Sequence, residues 1–192
     1  MNTTAPPRLA RPRDSHAARP PRTARGLTFL ELVIVLAVLA ILGALAVPSM
    51  AARLRGERLQ TAAEMFAADI ADARHEAARR GQALHIEGRA EASAPARSAE
   101  PAWCWSVATT AGCSCADAAA ETCRLKIVPA TEHPGVSLVQ AQGVHLQPDG
   151  QATPSVAAVF AAGDRRLQVQ VSRFGRARVC DPAGTSKRVP RC

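Results

Sequence analysis

The fold class follows from residues 25–47, which read RGLTFLELVIVLAVLAILGALAV. From residue 27 onward, this stretch has 21 residues and a single charged one, Glu31. At 1.5 Å per residue, a helix of that length spans roughly 30 Å, the thickness of the apolar part of a bilayer. The stretch therefore predicts a membrane-spanning helix that is apolar on every side.

The residues before this helix are strongly basic. Residues 1–26 contain six arginines against one acid, Asp14, and five prolines that prevent a stable helix. By the positive-inside rule they stay in the cytoplasm, and the residues after the helix cross to the periplasm. A permanent signal anchor and a secretory signal cleaved near Ala46 are two ordinary interpretations. Neither accounts for Glu31, because a carboxylate inside an apolar span costs about 2.5–3.5 kcal/mol.

Residues 25–36, RGLTFLELVIVL, resemble the type III signal of type IV pilins and type II secretion pseudopilins. Gly26, Leu27 and Glu31 match its glycine, its hydrophobic first mature residue and its glutamate at the fifth mature position, although Leu is less usual there than Phe or Met. The resemblance implies that prepilin peptidase cleaves between Gly26 and Leu27 and methylates the new amine of Leu27. It also implies that Glu31 pairs with the amine of a neighbouring subunit during assembly; the alternative is a Glu31 that only snorkels to the headgroups.

The residues after the apolar stretch predict an amphipathic helix and then strands. Between residues 49 and 81 the apolar positions recur every three or four residues on one stripe, at Leu59, Ala63, Phe66, Ile70, Ala73 and Ala77. Strands are predicted at residues 83–86, 103–107, 125–128, 136–139, 144–147, 156–161, 167–172 and 176–180. One long helix followed by strands indicates an α+β fold, in which an antiparallel sheet packs against the second half of the helix.

Four segments follow from these patterns. We expect a leader peptide at residues 1–26, a transmembrane and filament-core helix at 27–48, and an amphipathic helix at 49–81. Residues 82–192 then form a periplasmic, β-rich domain with a basic C-terminal region.

Three further stretches narrow the resemblance to the GspH/FimT group of minor pilins and pseudopilins. They are the end of the helix at residues 66–82, the segment LQPDG at 146–150, and the segment VSRFGRARVC at 171–180. The resemblance extends over most of the mature chain and is weak between residues 88 and 135. It implies a filament subunit whose partners are other pilins or pseudopilins, prepilin peptidase and the inner membrane.

All six cysteines follow the apolar stretch, on the side where disulfides persist. Cys180 and Cys192 bracket a short terminal loop, and we predict that they are bonded, a closure worth roughly 3 kcal/mol. Cys113 and Cys115 are too close in sequence for an easy mutual bridge. Cys104, Cys113, Cys115 and Cys123 then pair as 104–113 with 115–123 or as 104–115 with 113–123. A zinc site made by Cys113, Cys115, Cys123 and His133 is a weak alternative, because the spacing lacks a C-x₂-C pair.

Positive charge is concentrated at the C-terminus. The chain has 24 basic and 16 acidic residues, a net charge of +8, and cleavage of the leader would leave 18 basic and 15 acidic residues, or +3. Residues 163–192 alone hold eight basic and two acidic residues. We therefore predict one compact anion-binding patch at Arg173, Arg176, Arg178, Lys187, Arg188 and Arg191, beside the predicted C-terminal disulfide. The alternative is an edge strand whose charges only prevent aggregation.

The residues Gly175-Arg176-Ala177-Arg178 resemble a GRxR motif of DNA-binding, FimT-type minor pilins. The resemblance implies binding of DNA for natural transformation, through arginines that contact phosphates without sequence preference. Aromatic residues make up only 3% of the chain and Tyr is absent, so we expect little contribution from base stacking.

These patterns favour a structural and interaction protein over an enzyme. No nucleophile elbow, metalloprotease motif or phosphate-binding loop occurs in the sequence, and no cofactor is expected. The first hypothesis is a FimT-like minor pilin that reaches a type IV pilus from the inner membrane. The alternatives are a GspH-like minor pseudopilin of a type II secretion system and a secreted enzyme with an ordinary signal peptide.

Overall fold

The structure is a computed structural model that describes residues 28–91, 102–115, 122–153 and 155–192. The predicted leader and its cleavage position at Gly26 and Leu27 lie outside the described residues. The chain divides into two compact units between Gly43 and Ala44. Helix α1 (Phe29–Arg80) begins in the first unit and ends in the second, and all the described strands belong to the second unit. This is the α+β class that the sequence predicted.

In the first unit, α1 begins with a capped N-terminus. The hydroxyl of Thr28 accepts a hydrogen bond from the backbone N–H of Glu31 at 3.2 Å, which is the arrangement of a helix N-cap. The large apolar side chains that follow are exposed, Phe29 to 83% and Leu30 to 68%. The part of the chain that the structure describes contains no helix with an apolar stretch of bilayer-spanning length.

In the second unit, α1 ends at Arg80 and is followed by a glycine. Gly81 has a φ of +63°, a conformation that other residues rarely adopt. The N–H of Gln82 donates to the carbonyl of Ala77 at 3.2 Å, which satisfies a carbonyl that the end of the helix would leave without a partner. The chain then enters the first strand.

Among the described residues, the second unit contains eight strands in two antiparallel sheets. The strands are β1 (Leu84–Arg89), β2 (Cys104–Ala108), β3 (Arg124–Pro129), β4 (Ser137–Ala141), β5 (Val144–Leu146), β6 (Ser155–Ala162), β7 (Arg165–Val171) and β8 (Ala177–Cys180). A short 3₁₀ helix, Ala130–Glu132, follows β3. One sheet has the order β3-β2-β1-β5 and the other the order β4-β6-β7-β8. Each predicted strand is present, with shifted ends.

The buried stripe of α1 contacts both sheets through Phe66. Its ring lies 5.4 Å from that of Trp105 on β2 and 5.8 Å from that of Phe160 on β6, measured between centroids. The Trp105 indole N–H donates to the buried Asp69 at 2.8 Å, and Lys126 pairs with the other Asp69 oxygen at 2.5 Å. Phe66 is therefore covered by both sheets, where the sequence predicted a single sheet.

Candidate functional site

Three of the predicted cations lie at the turn between β7 and β8 and are exposed. They are Arg173, Arg176 and Arg178, and we call them the turn group. The N–H of Gly175 donates to the carbonyl of Ser172 at 2.9 Å, and the N–H of Ser172 donates to the carbonyl of Arg176 at 3.0 Å. Backbone hydrogen bonds therefore fix the positions from which these side chains extend.

A glycine lets this turn lie directly on α1. Gly175 has a φ of +66°. A Cβ atom on Gly175 would lie 2.8 Å from Cδ of Arg74 and 2.9 Å from the carbonyl oxygen of Gly150, closer than side-chain carbons approach. Arg74 also donates from Nη1 to the carbonyl of Phe174 at 3.3 Å. Arg74 thus holds the turn in place, a role that the sequence analysis did not find.

A groove of about 560 Å³ opens beside the turn group. It is lined by Gln170, Val171, Ser172, Arg176, Ala177 and Arg178. Nη2 of Arg178 donates to the side-chain oxygen of Gln170 at 3.1 Å, which orients the guanidinium. No carboxylate is among the residues that line this groove, and no ion pair between described residues includes the turn group. Its guanidinium groups match the oxygens of a phosphate, which accept two parallel hydrogen bonds.

The other predicted cations, Lys187, Arg188 and Arg191, lie in the segment after β8, and we call them the tail group. Lys187 and Arg188 line a second cavity of about 360 Å³, together with Arg53, Gly56, Glu57, Gln60, Arg165, Thr185 and Ser186. Nη1 of Arg188 is 3.9 Å from a carboxylate oxygen of Glu57. Lys187 and Arg188 therefore share their cavity with the acid Glu57, whereas no acid lines the groove of Arg176 and Arg178.

Asp181 organises the tail. Its carboxylate accepts hydrogen bonds from the backbone N–H groups of Ala183 at 2.9 Å and Ser186 at 2.7 Å, and from the hydroxyl of Thr185 at 3.1 Å. Burial would raise the pKa of Asp181, but these hydrogen bonds outweigh burial and lower it. The N–H of Asp181 donates to the carbonyl of Pro190 at 2.8 Å, so the tail is a closed loop.

The structure places Lys187 and Arg188 against a different part of α1 from the turn group. Arg74 of α1 contacts the turn, whereas Glu57 of α1 lines the cavity of Lys187 and Arg188. About 25 Å of helix separates those two α1 residues. The cause is the direction of β8, which leads away from the turn, so that the tail starts at the opposite end of the strand, after Cys180.

The six cysteines form three disulfides, Cys104–Cys115, Cys113–Cys123 and Cys180–Cys192. The first two correspond to the second of the pairings that the sequence left open, and the third is the pair predicted at the C-terminus. Cys113, Cys115 and Cys123, the cysteines of the alternative zinc site, are therefore each part of a disulfide. The disulfide Cys180–Cys192 brings Arg191 and Cys192 back to β8. Its other cysteine, Cys180, is two positions after Arg178.

Of the residues predicted for assembly, Glu31 is described and lies exposed in the first turn of α1. A carboxylate near the N-terminus of a helix interacts favourably with the partial positive charge there. This local role for Glu31 is one that the sequence analysis did not consider. Gly26 and Leu27 lie outside the described residues.

The fold defines the class of protein. A helix whose first turns expose apolar side chains, and whose later turns are covered by antiparallel sheets, is the arrangement of pilin-like subunits. Such subunits are structural proteins rather than enzymes.

The family follows from the sequence as a whole. The model described as Type II transport protein GspH matches residues 62–175, and the model of the Prokaryotic N-terminal methylation motif matches residues 21–47. Because the first match covers more than half of the chain, the chain belongs to the GspH family. It is a minor pilin or pseudopilin of the GspH/FimT type, a subunit of a type IV pilus or of a type II secretion system.

Two crystal structures of the type IV minor pilin FimU of Pseudomonas aeruginosa strain PAO1 have a similar fold. The first is 15% identical over 68% of this chain and 94% of that chain, with a TM-score of 0.48. The second is 16% identical over 67% of this chain and 98% of that chain, with a TM-score of 0.44. No curated protein sequence matches this chain.

Proposed function

We propose that this chain is a FimT-like minor pilin that binds DNA with its turn group during natural transformation. The observation that carries the proposal is the exposure of Arg173, Arg176 and Arg178, the last two of which line a groove without an acid among its described lining residues. Cations without a paired carboxylate keep their full attraction for a polyanion. The GRxR resemblance at residues 175–178 supports the same ligand.

Phosphate contacts explain how such a site would work. Each phosphate that the arginines neutralise releases counterions from the DNA, so the affinity falls as salt rises. Arg176 and Arg178 extend from a turn fixed by backbone hydrogen bonds, so little backbone entropy is lost when they bind. The site would bind DNA of any sequence, as the uptake of DNA from the surroundings requires.

Assembly is the second part of the proposal. Prepilin peptidase cleaves between Gly26 and Leu27 and methylates the amine of Leu27, and Glu31 pairs with the amine of an adjacent subunit in the filament. Before assembly, residues 27–48 hold the subunit in the inner membrane with residues 82–192 in the periplasm. The methylation-motif match at residues 21–47 supports this pathway, as do the exposed apolar side chains at the start of α1.

The test uses cells of the natural host that carry the changes on the chromosome. We expect that the mature protein begins at methylated Leu27 by mass spectrometry. The double variant Arg176→Gln, Arg178→Gln should enter pili normally but reduce DNA uptake strongly, because its fold and assembly helix are intact. A double variant that takes up DNA as well as the unaltered strain would refute the DNA-binding proposal, and a mature chain that retains its arginine-rich leader would refute the assembly proposal.

The second candidate is a minor pseudopilin of a type II secretion system, favoured by the description of the matched family model, Type II transport protein GspH. In that case the turn group would contact other pseudopilins or secreted proteins. Deletion of the gene distinguishes the two: loss of exoprotein secretion with normal DNA uptake favours the pseudopilin, and the reverse favours the pilin.

A further inference from the structure

Among the described Phe and Trp residues of the second unit, one is exposed, and it lies in the turn between Arg173 and Arg176. Phe174 is 58% exposed, whereas Phe66, Trp103, Trp105 and Phe160 are each at most 1% exposed. Leaving such a ring in water forgoes about 1.5–3 kcal/mol of burial energy. Because the other aromatic residues of this unit are all buried in the core, the exposure of Phe174 needs an explanation of its own.

The position of the ring is fixed by its neighbours. The carbonyl of Phe174 accepts a hydrogen bond from Arg74 at 3.3 Å, and the carbonyl of Arg173 accepts one from the N–H of Ala152 at 3.0 Å. Cζ of Arg173 lies 4.8 Å from the centroid of the Phe174 ring, in a cation–π contact. The ring is therefore presented to solvent on an ordered turn.

Cations that can contact a nucleic-acid backbone lie before and after this ring in the chain. Arg173 immediately precedes Phe174, and Arg176 lies two residues after it. Arg176 and Arg178 line the groove. The groove volume of about 560 Å³ lies within the range of small-ligand sites. A positively charged groove beside an exposed aromatic ring is the combination by which proteins bind single-stranded nucleic acid.

We propose that Phe174 stacks on an unpaired base of single-stranded DNA whose phosphates are held by the turn group. This inference rests on the proposed DNA-binding function and names the form of DNA that the site prefers. In a duplex, the faces of the bases are covered by their neighbours, so Phe174 has no ring to contact unless a base leaves the stack. In a single strand, each base offers a face, and the guanidinium of Arg173 adds to the platform.

The low aromatic content of the chain had suggested that stacking contributes little. The other described Phe and Trp residues of the second unit are buried and cannot add further rings to a stacking platform. A single ring at the tip of a basic turn needs no enrichment in aromatic residues, and its exposure becomes apparent only from the structure.

The test compares single-stranded and duplex DNA binding by the purified full chain in detergent. The probes are a labelled oligothymidine and a GC-rich blunt duplex of the same length, titrated by fluorescence anisotropy at several salt concentrations. Phe174→Leu should weaken oligothymidine binding at least about fivefold, since stacking on one base contributes about that much or more. It should leave duplex binding and the salt dependence unchanged, because the arginines are intact.

Phe174→Trp is the matched variant that keeps an aromatic ring. It should bind oligothymidine at least as tightly as the unaltered chain, and oligothymidine should quench its added tryptophan fluorescence while the duplex does not. Since Phe174 is exposed, both variants should unfold at the same temperature as the unaltered chain.

The outcomes separate this inference from the proposed function. If the unaltered chain binds both probes in a salt-dependent way and Phe174→Leu weakens neither, or both equally, the stacking inference is overturned alone. If the unaltered chain binds neither probe, the proposed function and this inference fail together.

Discussion

The turn group and the tail group contain three cations each, but they differ in their neighbours. In the turn group, Arg176 and Arg178 line a groove in which the described lining includes no acid. In the tail, Arg188 lies 3.9 Å from the carboxylate of Glu57, and Asp181 holds the surrounding loop. Equal numbers of cations therefore do not make equal sites, because a nearby carboxylate neutralises part of the attraction for an anion.

The largest expected effect concerns the disulfide that closes the tail. Replacing both Cys180 and Cys192 by Ser should lower the free energy of unfolding by about 3 kcal/mol, since the unfolded chain regains the entropy of the open loop. DNA affinity should stay unchanged, because the turn is held by Arg74 and not by the tail. Denaturant unfolding and DNA titration of the same sample measure the two effects.

The matched control replaces Cys104 and Cys115 by Ser. It removes a bridge with a similar sequence separation, 11 against 12 residues, whose cysteines line neither of the two basic cavities. Loss of DNA binding in the C-terminal variant but not in this control would mean that the tail contributes to the site after all.

The second-largest expected effect concerns two glycines, Gly175 beside the turn group and Gly184 in the tail. Gly175→Ala should destabilise the protein by about 1–3 kcal/mol from the positive φ alone. This loss of stability should be larger than that caused by Gly184→Ala, although the two φ angles are nearly equal, +66° at Gly175 and +67° at Gly184. The reason is that a Cβ at Gly175 meets a backbone carbonyl at 2.9 Å, whereas at Gly184 it meets the flexible side chain of Arg191.

Thermal unfolding and DNA titration of both glycine variants check this difference. Gly175→Ala should also weaken DNA binding, since it displaces the turn group from Arg74. Equal stability losses in the two variants would show that the carbonyl of Gly150 does not restrict residue 175.

The smallest expected effect is a dependence of the protein's stability on pH, which arises from the buried His133 and not from either basic group. His133 is buried and stacks on Trp105 at 5.8 Å, and its Nε2 has no hydrogen-bond partner among the described residues. Burial lowers the pKa of His133. The unfolded chain, with a His pKa of about 6.5, then binds more protons than the fold, so stability is full above that pH and decreases as the pH falls below it.

Unfolding temperatures at neutral and mildly acidic pH measure this loss. His133→Phe should keep the stacking on Trp105 and reduce the loss of stability on acidification. The control variant His75→Gln, on the exposed face of α1, should leave that loss unchanged. Some loss should persist in His133→Phe, because burial and the adjacent His145 also lower the pKa of His85. An equally steep loss in His133→Phe would contradict this assignment.

Local patterns explain how far the sequence could predict the structure. In β7, Leu167, Val169 and Val171 alternate with glutamines, and the structure buries all three. The turn cations could be predicted as neighbours because they are close in sequence. The position of the tail could not, because it depends on Asp181 and on Glu57 of α1. The support of the turn by Arg74 joins residues 100 positions apart, and no local pattern reveals such a contact.

The central claim is that the turn group, and not the tail group, binds DNA. The most direct measurement compares two double variants of the full chain, each lacking two positive charges: Arg176→Gln with Arg178→Gln, and Lys187→Gln with Arg188→Gln. Titration of duplex DNA over a range of salt concentrations gives the slope of log affinity against log salt. We expect the turn variant to bind much more weakly and its slope to flatten by about 2, and the tail variant to keep nearly its full affinity and slope. Equal losses in the two variants, or a larger loss in the tail variant, would contradict the account.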